Sequence, residues 1–172
     1  MFLTVAAAKK INFIASTQTK LMETEFKIAR TSRDIYAKLL DNYTPEQLNT
    51  IPQGWNNNLI WHIGHIIVSQ QLLVYKGSGL APMISEDMIA LYMRGTKPER
   101  NATQEEIDEM KSLLFSTIQK TEEDYRNGIF TTYNARKTEM GFDLASTEDS
   151  IAFNNQHEGM HLGMVIRLKK LV

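Results

Sequence analysis

His157-Glu158-Gly159-Met160-His161, close to the C-terminal end of the sequence, is the stretch on which the reading of this chain turns. Residues four apart on a helix point from one face, one turn above the other, so two imidazoles at this spacing can aim their nitrogens at a single ion. The chain has four histidines in 172 residues. The other two, His62 and His65, lie together on an upstream stretch of helical periodicity. From Ser146 onward one stripe runs Asn154, His157, His161, Met164, Leu168, Leu171, which predicts that both histidines face the interior. Two buried imidazoles without partners would leave polar nitrogens unsatisfied. Either a shared metal ion or hydrogen bonds to Asn154, Asn155 or Gln156 would answer that need.

Working upstream, residues 57–76 read as a second helix with the apolar stripe Trp61, His65, Val68, Leu72, Tyr75. Asn56, Asn57 and Asn58 supply its caps, and Gly77-Ser78-Gly79 stops it. His65 lies on the stripe and is the better candidate ligand. His62, about a quarter turn away, either replaces or supports it. Gly64 costs about 1 kcal/mol of helix propensity relative to alanine, so a neighbouring helix or a ligand is expected close to the backbone there.

A first helix is predicted from Leu21 to Asn42 on Ile28, Ile35 and Leu39, with Ala29, Tyr36, Leu40 and Tyr43 beside them. Residues 1–20 show no sustained period and are expected to be an N-terminal extension, leaving 21–172 as one domain. Thr44-Pro45-Glu46-Gln47 and Thr103-Gln104-Glu105-Glu106 have the form of capping boxes. The first opens a short helical turn, and the second opens a third helix through Ile107, Met110, Leu114, Ile118 and Tyr125 to about Arg126. The fourth starts at Ser146 and is carried by its pattern to the end of the sequence, with Arg167, Lys169 and Lys170 suited to the negative end of the helix dipole. Two long connections remain. Residues 77–101 include a helical Ser85–Tyr92, with Met83, Met88 and Met93 as core fillers or the lining of a pocket mouth. Residues 127–145 have extended character. The expected fold is all-α, a four-helix bundle with long crossover connections, in which metal sites are built from facing helices.

Composition narrows the chemistry. With no cysteine there is no disulfide, no thiolate zinc site and no cysteine nucleophile, so a metal must be held by nitrogen or oxygen. The 19 basic and 20 acidic residues give a net charge of −1 and no basic footprint, which argues against nucleic acid as a partner. Met1 to Ala8 is apolar but short and is followed by Lys9-Lys10, the wrong order for a secretory signal. No apolar run is long enough to span a bilayer, so no membrane partner is expected and the cytoplasm is the expected location.

His157-Glu158-x-x-His161 also matches the zincin pattern, in which Glu is the general base of a metalloprotease. None of the residues after His161 is His, Glu or Asp, Met164 stands where a metzincin has glycine, and Arg167 stands where it has its third histidine. Protease chemistry is therefore disfavoured. A third ligand from upstream, His65, would complete a three-histidine site with open positions.

Trp61-x-x-Gly64-His65 together with His157-Glu-Gly-Met-His161-x-Gly163 resembles the DinB-like (DinB/YfiT) superfamily of metal-dependent four-helix-bundle enzymes, over most of the chain from about residue 21. The resemblance implies a divalent metal ion on His65, His157 and His161, and a homodimer. It also implies a small-molecule substrate, with thiol S-transferases and isomerases that use low-molecular-weight thiols among the activities. Zinc, nickel, iron(II) and manganese all accept imidazole. Three neutral imidazoles leave the ion's charge available to acidify a water or a thiol. Glu158 is the candidate catalytic base; a role orienting an imidazole, or a solvated helix carboxylate, are its other readings. The asparagines and Gln156 at the starts of the second and fourth helices cap those ends or bind a polar substrate. The expected function is thus a metal-dependent thiol S-transferase or hydrolase. The alternatives are a non-catalytic metal-binding or small-molecule-binding bundle and a metal-free interaction scaffold.

Overall fold

The computed structural model describes the backbone of residues 5–172 and side chains from residue 20 onward. Six helices and one short hairpin follow in the order α1 (Val5–Asn42), α2 (Pro45–Asn49), α3 (Leu59–Gln70), α4 (Glu86–Tyr92), α5 (Gln104–Arg126), β1 (Arg136–Lys137), β2 (Asp143–Leu144) and α6 (Thr147–Leu168). A π-helical turn, Gln71–Lys76, prolongs α3. α1 packs against α5 and α6, and α3 packs against the same two, so the four long helices share one interior.

The capping boxes predicted at Thr44 and Thr103 form, and Ser146 makes a third. Thr44, Thr103 and Ser146 each accept from the backbone of the third residue on, whose side chain returns the bond in a complete capping box. Asn58 caps α3 by accepting from the Trp61 N–H at 2.9 Å. Ser85 caps α4. Two boundaries differ from expectation. α1 begins at Val5 rather than Leu21, with no backbone break at residue 20; the run Ala6-Ala7-Ala8-Lys9-Lys10 has high helix propensity and no glycine or proline interrupts it. Of the expected N-terminal extension, residues 1–4 lie outside the described residues. α6 stops at Leu168, with Lys169 and Lys170 in the turn beyond it. The connection before α6 holds a two-residue antiparallel hairpin pairing Arg136 with Leu144 and Lys137 with Asp143.

The buried stripe of α6 is also rotated from the predicted one. Ile151, Asn154, Glu158, His161, Val165 and Leu168 are buried, whereas Met164 and Leu171 are exposed. On α1 the buried line is Met22, Phe26, Ala29, Arg33, Tyr36, Leu40, and Ile28 and Ile35 are exposed. Both stripes therefore carry a charge at a core position. α3 is buried nearly all round, as expected of the helix that faces both α5 and α6. No described helix is long and apolar enough to cross a membrane.

Candidate metal centre

α3 and α6 bring three of the four histidines together. One ring nitrogen from each of His65, His157 and His161 lies within 4.8 Å of the other two. The ring centroids stand 4.7 Å apart for His65 and His161, 5.2 Å for His65 and His157, and 4.5 Å for His157 and His161. His157 Nε2 is 3.2 Å from His161 Nε2. Two nitrogens bound to one ion at about 2.1 Å would stand about 3.0–3.4 Å apart, so this separation fits a shared ion.

His65 and His161 are held from behind. The Tyr92 carbonyl can only accept, so His65 carries its proton on Nδ1 and donates to it at 2.7 Å, leaving a lone pair on Nε2. The Ser69 hydroxyl lies 3.3 Å from that Nε2 and donates to it. Trp61 stacks on His65 with centroids 4.6 Å apart and planes 9° from parallel, and its indole N–H donates to Thr96 just beyond α4. His161 Nδ1 meets His62 Nδ1 at 2.8 Å, so one proton is shared between those two rings. His62 thus supports the centre from behind His161 instead of replacing His65. His157 is half-buried and flanked by Phe153, which in turn packs on Phe142 from the hairpin turn. His157 Nδ1 and His62 Nε2 are buried without a hydrogen-bond partner.

Burial governs the protonation of the set. It pushes His62 and His157 down to about 4, helped in each case by the nearby His65. His161, facing three other imidazoles as well, is lowered furthest, to about 2. His65 is lowered chiefly by burial, against the Tyr92 carbonyl and with the Arg94 charge. All four are neutral at pH 7, the state in which an imidazole ligates a metal. Ring nitrogens that converge, a His65 tautomer fixed by the Tyr92 carbonyl, a His161 ring paired with His62, and a nitrogen separation suited to one ion together fit a divalent cation on His65, His157 and His161.

Glu158 is not brought to this cluster. Its carboxylate is fully buried and takes two hydrogen bonds from Arg33, Nε to Oε2 at 2.8 Å and Nη2 to Oε1 at 2.6 Å. Asn154 Nδ2 adds a third at 2.8 Å. A carboxylate so held is neither solvated nor in contact with an imidazole, and its oxygens are committed to a permanent cation. The sequence shows it next to a candidate ligand but not which way it points. Asn58 and Asn155 are likewise structural: Asn58 bonds the Asn49 carbonyl, and Asn155 bonds the backbone and carboxylate of Glu25. The close neighbour expected at Gly64 is the Tyr92 ring, 2.5 Å from where a Cβ would stand. Met88 joins the core, Met83 is half-buried and Met93 is exposed.

Helices packed about a buried histidine cluster define an all-α protein with a site able to hold a metal. A family profile described as the DinB superfamily matches residues 28–165, and the chain belongs to that superfamily. No curated protein matches the chain.

Proposed function

We propose that the chain is a divalent-metal-dependent enzyme, a four-helix bundle with long crossover connections, whose ion is held by His65, His157 and His161. The observation that carries this reading is the convergence of three ring nitrogens, with His65 held from behind by Tyr92 and the stacked Trp61 and His161 held by His62. A divalent ion there would supply Lewis acidity, bringing a water or a small thiol toward ionisation near neutral pH. The chain's residues do the rest. With the shared proton on His161 Nδ1, donated to His62, the Nε2 lone pair of His161 faces the centre. Trp61 and Tyr92 exclude water from the His65 side, so a small-molecule substrate, with a low-molecular-weight thiol as the leading candidate, would approach from the half-buried His157 side. Thiol S-transfer and hydrolysis are the reaction classes proposed, with zinc, nickel, iron(II) or manganese as the ion. A cytoplasmic homodimer belongs to the same proposal.

One observation favours a second reading, metal or small-molecule binding without turnover. The carboxylate expected to act as base is withdrawn into its pair with Arg33, and the cluster contains no carboxylate. Elemental analysis of protein purified without a histidine tag, followed by thiol-consumption assays with electrophilic and ester substrates, separates the two. The enzyme reading predicts close to one ion per chain and thiol or ester turnover lost in the His65→Ala variant. Full loading with no turnover would support the binding reading, and less than about 0.2 ion per chain after reconstitution would remove both.

A further inference from the structure

Arg33 of α1 is fully buried, and its single guanidinium reaches both helices that carry the candidate ligands. On α6 it grips Glu158, the residue after His157 and three before His161. On α3 its Nη2 reaches the carbonyl of Ile66, the residue after His65, at 3.4 Å. Tyr36, one turn further along α1, donates to the Glu158 carbonyl at 2.7 Å, so α1 holds both the side chain and the backbone of that residue. Asn154 closes the network by donating to Glu158 Oε1.

We propose that Arg33 is a positioning residue for the metal centre, fixing the axial register of α6 against α3 through Glu158 and Ile66 so that His157 and His161 meet His65. The inference rests on the metal reading above. Stability alone is a poor account of such a pair. Replacing a buried ion pair with apolar side chains of similar volume is often neutral or stabilising, whereas setting register is the best-attested use of buried charge. Sliding α6 by a turn, or rotating it to bring a different face inward, would strand two buried charges. The fork geometry of arginine, which binds a carboxylate by two parallel bonds, sets both distance and orientation. A lysine at this position would keep the charge and lose that constraint.

The test is a titration of the full-length, metal-free chain with cobalt(II), read by its visible ligand-field spectrum, alongside thermal melts without metal. The wild-type chain is expected to bind one cobalt ion. The double variant Arg33→Met with Glu158→Met keeps the volume and removes the charges. It is expected to melt within a few degrees of wild type yet to bind cobalt about 10- to 100-fold more weakly, with an altered spectrum. Affinity within twofold of wild type and an unchanged spectrum would overturn the positioning role. Should the double variant not fold, Arg33→Lys answers the same question: loosened cobalt binding supports the proposal, and unchanged binding and spectrum overturn it. Failure of the wild-type chain to bind cobalt removes the metal reading itself and this inference with it, whereas wild-type binding matched by the variants removes this inference alone.

Discussion

An imidazole buried without a counter-charge resists protonation, and that sets how the metal-free chain responds to acid. His62 and His157 titrate near 4 in the folded protein, first because burial penalises the cation. An exposed histidine of the unfolded chain titrates near 6.5. Below about 6.5 the unfolded chain therefore binds more protons than the folded one, so stability is full above that pH and is lost as pH falls toward about 4. Urea unfolding of metal-free protein is expected to show at least about 2 kcal/mol less stability at pH 5 than at pH 7. Equal stability at the two values would mean that these rings are not buried as described. The same residues show what a sequence can reveal singly. Spacing picked out His65, His157 and His161 because a shared helix face is periodic. The direction of Glu158 was not legible, since nothing in a single stretch says that an arginine waits on a helix far away in sequence. A signal for that partner does exist: Arg33 falls at a core position in the line Met22, Phe26, Ala29, Arg33, Tyr36, Leu40, where an unpaired charge would not be tolerated.

Elements were read best where local chemistry decides them. Caps depend on residues three apart, so Thr44 and Thr103 marked their helix starts. The early start of α1 and the π-helical turn after Gln70 were not legible, because propensity without an apolar period was read as extension, and because the π turn lies where Gln70, Gln71, Thr121 and the Met83 N–H bond together across the fold. Packing between α3 and α4 carries a prediction of its own. Gly64 lies against the Tyr92 ring, and the Tyr92 carbonyl anchors His65. Gly64→Ala should cost about 1–3 kcal/mol by overpacking and should also weaken metal binding, because α4 must shift. Gly163→Ala, whose added methyl meets open space, should do neither. Thermal melts and metal titrations of the two variants check this; a Gly64→Ala protein as stable and as metal-avid as wild type would contradict the contact.

For the whole molecule, the proposed function depends on two helices far apart in sequence being held in register. α3 packs directly on α6, and each is tied to α1 through Arg33. The all-helical class was legible because periodicity and breakers repeat along the whole chain, and family membership followed from the few positions that face the centre. The salt bridge from Arg94 to Glu139 was not, because it joins two connections, and the hairpin at 136–144 was legible only as extended character. The central claim is that His65, His157 and His161 share one ion. Anomalous diffraction from a crystal of the metal-loaded chain tests it directly. The account predicts one strong peak bonded to a ring nitrogen of each of the three histidines at about 2.0–2.2 Å. No peak between α3 and α6, or a peak held only by surface carboxylates, would contradict it.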